Sequence, residues 1–99
     1  MIVKIHKDQE GKEIAAVCDE DLLGKKFEEG NRQLDLTSNF YKGEVKSEDE
    51  IGDIMRNAYI VNLVGEKTIA LALKEEVIEK GHIIKIAGIP HAQAVCGDR

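Results

Sequence analysis

The stretch Ser47-Glu48-Asp49-Glu50-Ile51-Gly52-Asp53-Ile54-Met55-Arg56-Asn57-Ala58-Tyr59-Ile60-Val61-Asn62-Leu63-Val64-Gly65 changes hydrophobic period midway, and that change decides the fold class. Ser47 with Glu50 three residues on is a capping box, and Ile51, Ile54, Met55 and Ala58 fall on one helical face. A helix is expected from about Glu48 to Ala58. Tyr59 to Val64 is apolar and rich in β-branched residues, so it reads as a central strand covered on both faces and ended by Gly65. Downstream, Ile69, Ala70, Leu73 and Val77 share a face while Lys74, Glu75 and Glu76 face water, which predicts a second helix closed by Gly81. His82 to Ala87 reads as a further strand, Gly88-Ile89-Pro90 as a turn or bulge, and Ala92 to Cys96 as a final extended piece.

Upstream, Ile2, Val3 and Ile5 form one strand, Asp8 to Lys12 a turn, and Ile14 to Cys18 a second strand, which together predict a hairpin. Asp19 looks like the N-cap of a short helical turn that carries Glu20 and Asp21 and stops at Gly24. From Lys25 to Gly43 the signals are weak, with a turn at Gly30-Asn31 and a short alternating run at Leu34-Asp35-Leu36. That segment is expected to be the most loop-like. The fold class is α+β: a small mixed sheet with an N-terminal hairpin and two helices. Its C-terminal half is read as β-α-β-α-β, with a right-handed parallel crossover around the second helix.

The 99 residues suffice for a single domain, 1–99, that needs neither disulfide nor metal to fold. The N-terminus alternates apolar and basic residues and lacks the apolar core of a signal peptide, so a cytoplasmic protein without membrane association is expected. Cys18 and Cys96 are read as ordinary small core residues, although a bridge between them is open on spacing alone. The net charge is −5, and the excess lies in residues 1–50, which carry 8 basic against 13 acidic side chains. That balance opposes tight nonspecific nucleic-acid binding while leaving a local basic patch possible.

Four constellations invite chemistry. His91, in Ile89-Pro90-His91-Ala92-Gln93, is the most site-like residue, because a proline-fixed turn can hold an imidazole at a surface. A ring packed against that turn is the plainer account. Cys18, His82, His91 and Cys96 lack the close pairs of structural zinc sites, so no metal and no cofactor is expected. Gly65-Glu66-Lys67-Thr68 stands where a strand enters a helix, a place for an anion, but the phosphate-loop and dinucleotide patterns are missing. Lys25, Lys26, Arg32 and Lys42 surround Phe27, Phe40 and Tyr41 as single-stranded RNA binding would require. A solvated mixed-charge face over core aromatics is the competing account.

Cys18-Asp19-Glu20 with Leu22-Leu23-Gly24-Lys25, Phe40-Tyr41 with Gly43, Asn62-Leu63-Val64-Gly65-Glu66 and Ile89-Pro90-His91-Ala92-Gln93 stand in an order that resembles a small archaeal family catalogued as domain of unknown function 424. The resemblance implies an archaeal cytoplasmic protein and favours a role in RNA or ribosome biology. It supplies no catalytic residue to transfer. The leading expectation is a non-catalytic binding module that meets RNA or a translation-related protein through Lys25, Lys26, Phe40, Tyr41, Pro90, His91 and Gln93. Two alternatives stand beside it: a small enzyme with His91 as general acid or base, assisted by Cys18, Cys96 or a carboxylate, and a self-associating protein that pairs edge strands in a homodimer.

Overall fold

The computed structural model describes residues 1–96. The alternating runs at the N-terminus form β1 (Ile2–Lys7) and β2 (Glu13–Cys18), paired antiparallel with Ile2 opposite Cys18 and Lys7 opposite Glu13. Asp8 closes their turn, its Oδ1 accepting from the amides of Glu10 and Lys12 at 2.8 and 2.9 Å. After a 3-10 turn at Glu20–Leu22, the chain makes a two-stranded hairpin, β3 (Lys26–Glu29) with β4 (Arg32–Asp35). A two-residue strand, β5 (Glu44–Val45), then leads into α1 (Glu48–Asn57). The capping box is formed: Ser47 Oγ accepts from the Glu50 amide at 3.2 Å, and the Glu50 carboxylate accepts from the Ser47 amide. β6 (Ile60–Val64), α2 (Glu66–Lys74), β7 (Ile84–Ile86) and β8 (Ile89–Val95) complete the order.

Six strands form one mixed sheet in the order β5-β1-β2-β6-β8-β7. The pairings make β2, β5, β6 and β7 run one way and β1 and β8 the other. The β-α-β-α-β order is therefore present as β5-α1-β6-α2-β7, all three strands parallel, but β8 is inserted between β6 and β7. The crossover thus skips one strand, and the returning chain fills the gap as a hairpin.

Side-chain alternation assigns the two faces. Val3, Val17, Val61, Leu63, Ala92 and Ala94 point to one face and pack with Ile51 and Met55 of α1 and Ile69, Leu71 and Ala72 of α2. Arg56 of α1 bonds Glu75 at the end of α2 and fastens the two helices. The opposite face carries a smaller cluster, in which Ile2, Cys18, Val64 and Ile86 meet Leu22, Leu34 and Leu36 from residues 20–36. No helix among the described residues is long and apolar enough to cross a membrane.

Several sequence expectations are corrected in detail. α2 ends at Lys74, because Glu76 turns the chain at φ 60°; Val77 leaves the helix yet remains in the core. Gly81 lies in a 3-10 turn, Lys80–His82, that shortens the following strand to Ile84–Ile86. The turn before β8 is Ala87-Gly88, both at positive φ as type I′ hairpins require, so Ile89, Pro90 and His91 lie within the strand. Residues 25–43 are less irregular than expected, since Gly30, at φ 60°, opens the tight turn between β3 and β4.

Cys18 and Cys96 lie in clusters on opposite faces of the sheet. A disulfide requires Cα atoms within about 7 Å and facing Cβ vectors, which this placement forbids. The protein stored under air and then denatured is expected to titrate as two thiols, with no bridge between Cys18 and Cys96. A lower thiol count with no change in mass beyond loss of hydrogen would contradict the assignment of faces.

Candidate functional site

Residues 20–43 form the roof over the smaller cluster, and their apolar positions explain how. Leu22, Leu34 and Leu36 are buried, while Lys25, Lys26, Arg32 and Lys42 are exposed. The Gly24 amide donates to Leu36 O and the Leu36 amide to Lys25 O, both at 2.8 Å, which extends the hairpin ladder to Lys25. Beside this extension runs a groove of about 250 Å³ lined by Leu23, Gly24, Leu36, Thr37, Ser38 and Lys42. Asp35 shapes its rim, accepting from the Thr37 amide and hydroxyl at 2.8 and 2.5 Å. The Thr37 hydroxyl bond, followed by the amide bond, holds the Asp35 carboxyl below its ordinary range. Lys26 pairs with Glu28 at 3.3 Å, whereas Lys25 and Lys42 form no ion pair among the described residues.

The aromatic side chains are engaged elsewhere. Phe40 stacks on His6 with centroids 4.5 Å apart and planes 9° from parallel, and His6 Nε2 lies 2.8 Å from Phe40 O. Tyr41 meets the edge of Phe40 at 5.1 Å and packs against the smaller cluster. Burial there, reinforced by the nearby Cys18, pushes the Tyr41 hydroxyl up to about 12. Burial also pushes the Cys18 thiol up to about 11, with Asp19 adding to the effect. Phe27 turns inward against the same cluster. Lys25 and Lys26 are thus near neighbours of the groove, while the Phe40 and Tyr41 rings serve as anchors of the loop.

Pro90, His91 and Gln93 are separated by the strand that contains them. Pro90 is buried, and its carbonyl accepts from the Gly65 amide at 2.9 Å. A strand residue directs its N and O to the same side, so the missing proline N–H faces the point where β6 ends and costs no ladder bond. His91 and Gln93 point to the opposite face, Gln93 exposed and His91 half-buried between Val64 and Ile84. Burial, with the charge of Arg32 as the lesser cause, holds the His91 imidazole below its ordinary value. Cys18 is separated from His91 by Val64 in the next strand, and His91 Nε2 has no hydrogen-bond partner among the described residues. No geometry seen at His91 joins it to a second acid or nucleophile.

The anion place at Gly65-Glu66-Lys67-Thr68 is filled by the protein itself. Asp19 Oδ1 accepts from the amide and hydroxyl of Thr68, each at 2.8 Å, and Oδ2 accepts from the Lys67 amide at 3.1 Å. Asp19 does not cap the turn that follows it; it caps α2, 49 residues away. The absence of a side chain at Gly65 makes room, because a Cβ there would lie 2.4 Å from Asp19 Cγ. Asp19 and Gly65 stand 46 positions apart in the sequence, and no local pattern couples them. His82 is exposed, its Nδ1 accepting from the Glu79 amide at 2.8 Å. No group of three or more His, Cys, Asp and Glu residues among the described residues is arranged to hold a metal ion.

The family model described as protein of unknown function (DUF424) matches residues 6–96. The crystal structure of an uncharacterized conserved protein from Methanopyrus kandleri is similar, with a TM-score of 0.80 and 25% sequence identity over 94% of this chain and 88% of that one. No curated protein matches the chain.

Asp19→Ala removes a buried cap and strands the donors of Lys67 and Thr68, so it is expected to cost about 2 to 3 kcal/mol in urea unfolding. Gly65→Ala is expected to cost at least as much, through overlap with Asp19 and a backbone held at φ 110°. Glu20→Ala, at an exposed position, should stay within about 0.5 kcal/mol. Equal losses at Asp19 and Glu20 would refute the cap.

Proposed function

Since the chain belongs to the family described as protein of unknown function (DUF424), which names no activity, we propose from its geometry that it is a non-catalytic module that binds single-stranded RNA through the phosphate backbone. The observation that carries the reading is the groove at Thr37, Ser38 and Lys42, with Lys25 on the adjoining strand extension: two lysines without ion-pair partners among the described residues beside the Ser38 hydroxyl, which keeps its proton to donate while that of Thr37 goes to Asp35. Phosphate oxygens accept from both kinds of donor. Lys26 is offset by Glu28 and adds less. Stacking on Phe40 or Tyr41 plays no part in this mode, because His6 and the smaller cluster engage those rings. Binding of this kind is weak, insensitive to base sequence and steeply dependent on salt. His91 takes no role in it, and no observation at His91 favours the enzymatic alternative.

The test is fluorescence anisotropy with a labelled uridine-rich single strand over a salt series, comparing the native chain with a Lys25→Ala, Lys42→Ala double variant. Two lost phosphate contacts are expected to weaken binding and to reduce the log-log salt slope by about 1.4. Unchanged affinity and slope would place any RNA contact elsewhere and overturn this reading.

A further inference from the structure

The imidazole of His91 is the one place among the described residues where a buried side-chain nitrogen, Nε2, lacks a hydrogen-bond partner. Its surroundings explain why none is at hand. Val64 of β6 and Ile84 of β7 flank it within the sheet. The β3–β4 hairpin packs against β7 and turns its last cross-strand pair, Glu29 opposite Arg32, toward this end of the sheet. Glu29 is committed, its Oε1 accepting from the Ala87 amide at 2.6 Å, and that bond ties the hairpin tip to the β7–β8 turn. Arg32 brings a positive charge to bear on the ring. Lys85 and Pro90 alternate to the other face, and Cys18, two strands away, is a neutral thiol.

We propose that His91 is an acid-sensitive latch for the β3–β4 hairpin: a proton on its half-buried ring, whose Nε2 is buried, drives the hairpin off the sheet and uncovers Cys18. A neutral ring tolerates the aliphatic pocket. An imidazolium needs an acceptor at Nε2, finds none, and stands near a guanidinium, so the cation is relieved by admitting water beneath the hairpin. The roof is thin enough to respond. Within the hairpin and its extension only Leu34 and Leu36 are buried, Phe27 is partly so, and the Glu29–Ala87 bond is exposed. The cluster those leucines cover contains Cys18, which is wholly buried while the roof is closed.

The sign follows from the direction of the shift. A base held below its ordinary value in the closed state favours closure fully above the ordinary imidazole range. That preference is lost as pH falls through it toward the lowered value. For one proton, the opening constant rises by at most about tenfold per pH unit across that window.

The experiment is thiol labelling with 4,4′-dithiodipyridine, which reacts in acid, with each rate divided by that of the urea-unfolded chain at the same pH. Modified sites are resolved by mass spectrometry. Cys18 labelling is expected to accelerate between neutral and mildly acidic pH while Cys96, beneath the helices on the other face, stays protected. In His91→Gln the acceleration should vanish even if that variant has a different baseline. In Arg32→Gln it should become smaller, because the imidazolium is then less opposed. A Cys18 rate indifferent to pH, an acceleration that persists in His91→Gln, one undiminished in Arg32→Gln, or parallel labelling of Cys96 would each overturn the latch.

Discussion

The Asp19 carboxylate drawn into the first turn of α2 is the contact on which the arrangement depends, because it closes a junction where β2, β6 and β8 meet the start of α2. A parallel pair such as β2 and β6 cannot be joined by a tight turn, so the chain leaves β2 after Cys18, adds β5 at the far edge of the sheet, and comes back beside β2 only at Ile60. Asp19 stands at the point of departure: its amide donates to Val64 O at 3.1 Å and continues the β2–β6 ladder for one more bond. Its side chain then satisfies donors that α2 would otherwise leave unpaired in a buried place. Gly65 supports both neighbours, yielding space to the carboxylate and donating its amide to Pro90 of β8. The order β2-β6-β8 is thereby locked at one end by groups far apart in sequence.

The two faces of the sheet are covered unequally. One lies under two amphipathic helices that contribute a continuous apolar layer. The other is roofed at one end only, by Leu22, Leu34 and Leu36 with Leu23, Phe27 and Tyr41 partly buried beside them, and along the rest of that face Ile14, Ile60, Asn62, Gln93 and Val95 are partly or fully exposed. Buried apolar area is the main favourable term in holding an element down, so the roof is held more weakly than the helices. It has to be supplemented by particular contacts: the His6–Phe40 stack at one margin and the Glu29–Ala87 bond at the other. Phe40 and Tyr41, which look in sequence like a binding platform, are needed for that fastening.

What the sequence made legible was whatever depends on local periodicity. The first hairpin, the Ser47 capping box, α1 and the position of β6 follow from spacing alone, because the groups that stabilise them lie within a few residues. Features set by distant partners were hidden. Asp19 has every local attribute of a cap for the turn it precedes, yet the nearer turn leaves its carboxylate free and α2 takes it. Pro90 suggested a turn because proline is costly in a paired strand, and the cost disappears only because β6 ends opposite it. Of the candidate site, Lys25 and Lys26 were legible as an exposed basic pair, whereas Thr37 and Ser38 were not. Their part in the groove requires the Asp35–Thr37 turn and the pairing of Leu36 with Gly24 and Lys25.

The overall charge of −5 is no obstacle to an anionic partner at that groove, because charge acts locally. Glu48, Asp49, Glu50 and Asp53 lie on α1, in the helical layer behind the sheet, while Lys25 and Lys42 lie in the layer on the other side. Packed layers stand about 10 Å apart, and at physiological ionic strength exposed charges are screened over about 8 Å. The acids of α1 therefore contribute little at the groove. Asp35 does contribute, since it stands on the rim with its charge intact, and it offsets part of the field of the two lysines. The groove sets Lys25 and Lys42 beside the Ser38 hydroxyl, with the Thr37 hydroxyl already donated to Asp35. That combination fits contacts to a few phosphates of a flexible strand and provides no means of reading its bases.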